Sequence, residues 1–278
     1  MNIGIRLHDT APGTLEQRAR AAREQGFTCV HLALSKTIGP ELMAPAAATP
    51  GLAHSVRRML DGLDIAVLGC YLNLTHPDGD AYREILRKYQ AHVRLAAWMG
   101  AGVLGTETGA PNAEYRYDPC RSHTPEALEM FIRRLAPVVE YAESFGVTVA
   151  IEPVYTHIVY CPQAARTVLD TLRSDHLKII FDPVNLLHPD NIDRRDAVIQ
   201  EAIDLLGEDV MVVHMKDYLP PATAGGPYRA CACGLGGMDY TRVLRFVRDV
   251  KPYAQVTLEN TTPENAERTR LFLEGYLK

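Results

Sequence analysis

Val210-Met-Val-Val-His-Met-Lys-Asp-Tyr218 is the segment on which the fold prediction depends. Its apolar and β-branched residues are typical of a strand buried on both faces, yet it ends in His214, Lys216 and Asp217. Three further apolar runs end in an acidic residue, namely Glu152, Asp182 and Glu259. Four consecutive predicted strands thus carry Glu, Asp, His and Glu at their ends, and we predict that these four side chains bind one divalent metal ion.

The rest of the chain alternates between strand and helix patterns. Apolar runs predict strands at residues 2–7, 28–34, 65–72, 102–106, 147–152, 177–182, 210–218 and 254–259. Helical periodicity and capping signals predict helices at residues 14–25, 52–63, 78–99, 124–146, 161–172, 193–206 and 240–250, and from 262 onwards. Parallel strands need a crossover between them, so eight such units predict an α/β fold, the (β/α)8 or TIM barrel, as one domain over residues 1–278. The alternative, an open doubly wound sheet, is disfavoured because no G-x-G-x-x-G opens a helix.

Composition restricts the classes of function. The chain has 278 residues, of which 47% are hydrophobic, and a net charge of −5, which is unlike the basic balance of proteins that bind a phosphate backbone. We therefore expect no nucleic-acid partner. The six cysteines match no zinc motif, and the N-terminal residues show no signal peptide. In a chain of this length the cysteines are most simply reduced core or loop residues, so we expect a cytoplasmic protein. The most apolar window, residues 95–105, is too short to cross a membrane, so we expect no membrane partner.

The donor types at the four strand ends indicate which ions they suit. In a (β/α)8 barrel the active site lies at the C-terminal ends of the strands, so the four side chains can converge. Carboxylate oxygens and one imidazole nitrogen suit Mn²⁺, Mg²⁺, Co²⁺ or Zn²⁺, and the lack of cysteine ligands argues against a structural zinc. Any one of these residues alone is more simply a helix cap, a salt-bridge partner or a hydrogen-bonded core residue. Their repetition on four strands favours the metal site.

The order Glu, Asp, His, Glu on strands five to eight resembles the xylose isomerase-like TIM-barrel superfamily of sugar isomerases and epimerases. The pieces that carry the resemblance are Ile151-Glu-Pro, Phe181-Asp-Pro-Val-Asn185, Val213-His-Met-Lys-Asp217 and Thr257-Leu-Glu-Asn260. The resemblance implies that Glu152, Asp182, His214 and Glu259 bind one ion, for which Mn²⁺ is the leading candidate. It also implies that Glu152 and Glu259 are the catalytic proton-transfer pair. Moving a proton α to a carbonyl produces an enediolate, whose negative charge a Lewis acid stabilises.

Two departures from the best-known ketose 3-epimerases narrow the expected substrate. Those proteins have a histidine three residues after the strand-six Asp, at the position that Asn185 occupies in this chain. They also have a substrate-binding glutamate six residues after the strand-five Glu, at the position that Ile158 occupies here. The His-x-Lys-Asp form at 214–217 is more similar to members that act on keto-inositols and other oxidised sugars. Lys216 either contacts the substrate or pairs with Asp217 or another nearby acid.

Further polar residues lie just beyond predicted strand ends. Each is a candidate substrate contact with a capping or loop hydrogen bond as the alternative: Arg6, His8, Asn73, His76, Glu107, Tyr155, His157, Asn185 and His188. Arg229 lies in a long Gly- and Pro-rich loop, residues 219–237, which is expected to be a lid or a mobile segment. A solvated charge is the simpler explanation of Arg229.

The predicted function is thus a metal-dependent sugar or keto-sugar isomerase or epimerase. A lyase or dehydratase would begin with the same proton abstraction, so the sequence leaves it open as the alternative. An apurinic-site endonuclease would need further His and Asp ligands, where this chain has Asn185 and Arg229-Ala-Cys231. A barrel that only binds a sugar would not need two metal-bound glutamates. The resemblance also implies a homo-oligomer.

Overall fold

Eight parallel strands close into a barrel in the computed structural model, which describes residues 2–222 and 228–276. Asn2–Arg6 pairs with Gln255–Leu258, with Ile3 opposite Val256, and this pairing closes the barrel. The barrel strands are Asn2–Arg6 (β1), Cys29–Leu32 (β2), Asp64–Gly69 (β3), Val103–Glu107 (β4), Val149–Glu152 (β5), Leu177–Phe181 (β6), Val210–Met215 (β7) and Gln255–Leu258 (β10). The prediction of a (β/α)8 barrel is confirmed.

Helices connect the strands and cover the outside of the barrel. They are Leu15–Glu24 (α1), Leu34–Thr37 (α2), Pro50–Leu60 (α3), Gly79–Met99 (α4), Pro125–Ser144 (α5), Pro162–Leu172 (α6), Arg195–Leu206 (α7), Thr241–Val250 (α8) and Ala266–Gly275 (α9). Short 3-10 turns occupy Leu7–Asp9, Pro40–Met43, Pro45–Ala47, Ile192–Arg194 and Gly207–Asp209. Thr124 caps α5, because its hydroxyl accepts a hydrogen bond from Ala127 N at 3.2 Å. The last helix begins at Ala266, four residues after the predicted start at residue 262.

The interior of the barrel is a small apolar cluster that determines where the polar residues lie. Its members are Cys29, Ala66, Val67, Val103, Ala150, Ile180 and Val212. Side chains alternate along a strand, so the residue two positions beyond an inward-facing one also faces inward. Glu152, Asp182 and His214 each lie two positions beyond a member of this cluster, on β5, β6 and β7. The barrel axis is therefore apolar in its middle and acidic at its C-terminal mouth.

The seventh barrel strand ends at Met215, earlier than predicted, and the chain then turns into a hairpin. Asp217–Leu219 (β8) pairs antiparallel with Arg229–Cys231 (β9), with Tyr218 opposite Ala230. The reason is the buried carboxylate of Asp217, which accepts hydrogen bonds from the backbone N–H groups of residues 218, 234, 236 and 238 and from the hydroxyl of Tyr240. The predicted loop at 219–237 thus includes a short hairpin, while residues 223–227 lie outside the described part of the chain.

Two further observations concern the described residues as a whole. No helix in ranges 2–222 and 228–276 combines the length and the apolar character needed to traverse a bilayer. All six cysteines lie within these ranges and are free thiols.

Candidate metal centre

The predicted ligands converge at the C-terminal mouth of the barrel. His214 Nδ1 lies 3.1 Å from Glu152 Oε1 and 3.3 Å from Glu259 Oε1. Glu152, Asp182 and His214 each offer one ligand atom, and these atoms all lie within 4.8 Å of one another. All four side chains are buried. The structure therefore places the four residues, which are up to 107 positions apart in the sequence, around one point.

Lys216 lies among the acids and is itself buried. Its Nζ is 2.8 Å from Asp182 Oδ2 and 3.3 Å from Glu259 Oε2. The other oxygen of Asp182 accepts backbone hydrogen bonds from Val184 N at 2.9 Å and Asn185 N at 3.1 Å. Of the two predicted roles for Lys216, pairing with an acid is the one visible here, although the partners are Asp182 and Glu259 rather than Asp217.

Burial and charge act in opposite directions on these groups. Burial alone would lower the pKa of His214, but the carboxylates of Glu152 and Glu259 raise it to about 9. Burial would raise the pKa of Glu259, but Lys216, His214 and Arg6 hold it below its ordinary value. For Asp182 burial prevails and its pKa is raised. Three buried carboxylates thus share a few cations, which is an arrangement that a divalent ion would stabilise.

The donor set fits a divalent cation. Three carboxylates and one imidazole are typical ligands of Mn²⁺, Zn²⁺ or Mg²⁺. One interaction supports the orientation of Glu152, because Asn185 Nδ2 donates to its Oε1 at 2.7 Å. Such outer partners are usual around metal ligands.

A cavity of about 270 Å³ opens above these residues. Its lining includes the predicted residues Arg6, His8, Glu107, Glu152, Asn185, Lys216 and Glu259. Arg6 Nη1 is 3.6 Å from Glu259 Oε2, and its Nε donates to Asp9 Oδ2 at 3.0 Å. Burial, reinforced by Arg6 and Lys36, lowers the pKa of His8 to about 3. Glu107 accepts a hydrogen bond from the Tyr115 hydroxyl at 3.1 Å, and burial raises its pKa.

The cavity also contains residues that the sequence analysis missed. They are His31, Lys36, Tyr71, Ala230 and Asn260. The strand alternation does predict that His31 faces the barrel interior, because it lies two positions beyond the inward-facing Cys29. Glu152, Asp182 and His214 have the same spacing from inward-facing residues on their strands. Ala230 belongs to β9, so the hairpin borders the mouth of the cavity.

The remaining predicted substrate contacts lie outside the cavity lining. The ring of His157 packs against Tyr115 with centroids 5.4 Å apart, and burial lowers its pKa to about 4. Tyr155 stacks on His188 at 4.1 Å, and its hydroxyl donates to Asp190 Oδ2. Their roles as substrate contacts stay predictions.

Three other predicted residues have local partners or solvent around them. His76 Nδ1 accepts a hydrogen bond from Asp78 N in the turn before α4. Asn73 donates to Ala110 O and Asn112 O, so it ties the loop after β3 to the loop after β4. Arg229 is exposed on β9. These contacts match the capping and loop roles that the sequence analysis gave as alternatives.

An eight-stranded parallel barrel with a buried cluster of acids and one histidine at its C-terminal mouth defines a class of barrel that can hold a metal ion. The model of the family described as xylose isomerase-like TIM barrel matches residues 19–275, and the chain belongs to this family. An uncharacterised protein of Methanocaldococcus jannaschii is 22% identical over 198 residues, which are 70% of this chain and 64% of that protein. The chain thus spans less than two thirds of the length of that relative.

Solved structures with the same fold include enzymes. The 3-keto-D-glucoside 4-epimerase from E. coli is 15% identical, with 99% of each chain covered and a TM-score of 0.74. A probable 3-DHS dehydratase from Bacillus anthracis is 15% identical, with 100% and 99% covered and a TM-score of 0.73. The IOLI protein with a bound zinc atom is 14% identical, with 100% and 96% covered and a TM-score of 0.74. At these identities the likeness establishes the fold.

Proposed function

We propose that this protein is a divalent-metal-dependent isomerase or epimerase that moves a proton α to the carbonyl of a sugar or keto-sugar. The observation that carries the proposal is the convergence of Glu152 and Glu259 on His214 Nδ1, at 3.1 and 3.3 Å, beneath a cavity of sugar size. Two carboxylates at one point can remove a proton and return one. The proposed ligands are Glu152, Asp182, His214 and Glu259, and the proposed ion is Mn²⁺.

The two glutamates have different neighbours, which suits two different roles. Glu152 is oriented by the amide of Asn185, whereas Glu259 lies against the cations Lys216 and Arg6. Pairs of carboxylates in unlike environments are how enzymes divide acid and base work. The bound ion would act as a Lewis acid that stabilises the negative charge of the enediolate. Lys216 lines the cavity, and we propose that it donates a hydrogen bond to a substrate oxygen when the ion is also bound to Asp182 and Glu259.

The test is proton exchange in D₂O. The Mn²⁺-loaded protein is incubated with ketoses, inososes and 3-keto-glycosides and followed by NMR. We expect deuterium to enter at a carbon next to the carbonyl, together with a new sugar, and we expect chelator treatment to stop both. If none of these compounds exchanges while the protein binds Mn²⁺, the proposed reaction is wrong.

A lyase or dehydratase is the second candidate, and Glu107 is the observation in its favour. Glu107 is a third carboxylate in the cavity, held by Tyr115 and positioned opposite Glu152 in the register between β4 and β5. An acid placed there could assist a leaving group β to the carbonyl. In the same NMR experiment, elimination would appear as an unsaturated product with release of water, an alcohol or an aglycone.

We propose a small-molecule sugar as the partner rather than nucleic acid. The position where the repair-nuclease relatives would supply a further histidine ligand holds Asn185, which here is hydrogen-bonded to Glu152. A cleavage assay on DNA with an abasic site checks this point, and we expect no incision. A homo-oligomer and a cytoplasmic location stay predictions from the sequence.

A further inference from the structure

His31 is a buried histidine at the metal centre that has no predicted role. It lies on β2, only 2% exposed, and its ring stacks on that of His214 with centroids 5.2 Å apart and planes 18° apart. The pairing of β2 with β3 shifts register between Val30 and His31. The extra residue, Ala66, lies on β3, so β2 keeps its alternation and His31 faces the same side as Cys29.

The neighbouring strand makes room for this ring. A Cβ atom at Gly69 would lie 2.9 Å from His31 Nε2 and 2.6 Å from a ring carbon of Tyr71, so a larger residue would displace one of the two side chains. The Tyr71 hydroxyl lies 3.0 Å from His31 Nε2. The structure thus holds one ring nitrogen of His31 in a hydrogen bond and determines the direction of the other.

The other nitrogen, Nδ1, is buried and has no hydrogen-bond partner among the described residues. Leaving a polar atom in this state is unfavourable, because it loses its hydrogen bond to water on burial and gains none in return. The nearest acidic atom is Glu259 Oε1 at 3.9 Å, which is too long for a hydrogen bond. Because Nδ1 has almost no accessible surface, a sugar in the cavity cannot reach it without a rearrangement.

A small cation can satisfy this atom where a sugar cannot. His31, His214 and Glu259 each offer a ligand atom, and these atoms lie within 4.8 Å of one another. This group shares His214 and Glu259 with the predicted metal centre. Histidine ligands commonly donate their second ring N–H to an oxygen, and the Tyr71 hydroxyl is the oxygen available to His31 Nε2.

We infer that His31 is a fifth protein ligand of the divalent ion, bound through Nδ1, with Tyr71 as the positioning residue that orients its ring. The inference rests on the proposed metal-dependent function, because it uses the same ion. Its consequence is that β2 contributes to the metal centre alongside strands β5, β6, β7 and β10. One coordination position that would otherwise remain for substrate or water is then filled by the protein.

The direct test counts histidine nitrogens on the ion and needs no substitution. The protein is labelled with ¹⁵N at histidine and loaded with Mn²⁺ alone, and electron–nuclear double resonance measures the nitrogens coupled to the metal. Two coupled histidine nitrogens are expected, and the His31→Ala protein should keep one. A single coupled nitrogen in the unsubstituted protein would overturn the inference while leaving the proposed function intact.

Affinity for Mn²⁺, measured by competition with a chelator, is the second readout. His31→Ala should raise the Kd at least about tenfold, and Tyr71→Phe should raise it by less. His92→Ala is the matched control, because His92 is equally buried, also has one unpartnered ring nitrogen, and lies on α4. We expect its Kd to change less than twofold. A Kd unchanged in folded His31→Ala would contradict the assignment.

A cavity variant separates ligation from packing. In His31→Gly, added ¹⁵N-imidazole should restore Mn²⁺ affinity and appear as a nitrogen coupled to the metal. If imidazole restores thermal stability without any coupling to Mn²⁺, His31 is only a packing residue and the inference fails. If the unsubstituted protein binds no Mn²⁺ at all, both this inference and the proposed function are wrong.

Discussion

The two ends of the barrel each contain a cluster of charged side chains, and the two clusters differ in how their members are paired. At the N-terminal end, Asp209 lies between Lys178 Nζ at 2.8 Å and Arg166 Nη1 at 2.8 Å, so one acid has two cations and both of its oxygens are paired. At the C-terminal end, three acids share Lys216, Arg6 and His214, and one nitrogen each of His31 and His214 has no hydrogen-bond partner in the part of the chain that the structure describes. The N-terminal cluster is also more exposed to solvent.

The difference distinguishes a charged cluster that stabilises the fold from one that is suited to hold a metal ion. A cluster that serves stability neutralises its charges locally and satisfies its hydrogen bonds. The C-terminal cluster leaves buried polar atoms without hydrogen bonds from the described residues, although the same barrel surrounds it. Clustered carboxylates beside imidazole nitrogens free to accept a bond are donors that suit a divalent ion. Substitutions at the C-terminal end should therefore have effects on stability that depend on Mn²⁺, whereas those at the N-terminal end should have effects that do not.

The largest effect is expected from Glu259→Gln. The amide keeps the shape of the side chain but cannot exchange a proton, so the rate of deuterium incorporation should fall by about 10²–10⁴-fold. The thermal midpoint without metal should fall, because Lys216, His214 and Arg6 lose the carboxylate with which they pair. The control is Glu264→Gln, at an exposed glutamate five residues further on, and it should exchange at the normal rate. Exchange within tenfold of normal in Glu259→Gln would remove Glu259 from the proton-transfer pair.

Lys216→Met should produce the largest change in stability. Without metal, Asp182 and Glu259 lose the ammonium group that lies 2.8 and 3.3 Å away, and we expect the free energy of unfolding to fall by about 3–5 kcal/mol. Mn²⁺ should recover much of this loss, since an ion at 100 times its Kd stabilises by about 2.7 kcal/mol. Denaturant unfolding with Mn²⁺ and with chelator measures both quantities.

The matched control for that experiment lies at the other end of the barrel. Lys178→Met removes a lysine from the Asp209 cluster, where Arg166 remains, so the loss should be about 1 kcal/mol and the same with or without Mn²⁺. If the two lysine variants respond to Mn²⁺ alike, the distinction between the two ends is wrong.

The fold and the four converging residues were predictable because both follow from periodicity. Apolar runs alternating with helical segments determine a barrel, and an acid two positions beyond an inward-facing residue lies at the mouth. His31 was missed because it lies within a short apolar strand, whereas the four predicted ligands lie at or near the ends of apolar runs. The partners of Lys216 and the hairpin after β7 were also beyond sequence reasoning, since both depend on contacts between distant segments.

Asp217→Asn should show that a buried acid at the C-terminal end can still be structural. The Asp217 carboxylate accepts five hydrogen bonds from the segment that forms the hairpin and the start of α8. An amide NH₂ would face donors in place of one oxygen, so we expect a loss of about 2 kcal/mol, independent of Mn²⁺. Asp239→Asn is the control, because Asp239 is exposed and the amide oxygen of asparagine can accept the same hydrogen bond from Thr241 N. A loss that Mn²⁺ reverses would instead place Asp217 in the metal centre.

The smallest effect is expected from Asp209→Asn, and its pH dependence identifies its origin. Burial would raise the pKa of Asp209, but hydrogen bonds from Lys178 and Arg166 hold it below its ordinary value. A carboxyl whose pKa is lowered by folding stabilises the protein above its unfolded pKa of about 4, and this contribution disappears as the pH falls through the folded value. At neutral pH the substitution should reduce the free energy of unfolding by about 1 kcal/mol.

The difference between the unsubstituted protein and Asp209→Asn should therefore shrink as the pH is lowered from about 5 towards 2, and it should be constant above that range. Urea unfolding across this series, in chelator, provides the measurement. Mn²⁺ should leave the difference unchanged at every pH, because Asp209 precedes β7 whereas His214 lies near its end. A difference that grows in acid would mean that Asp209 is destabilising when ionised, and the N-terminal cluster would then resemble the C-terminal one rather than contrast with it.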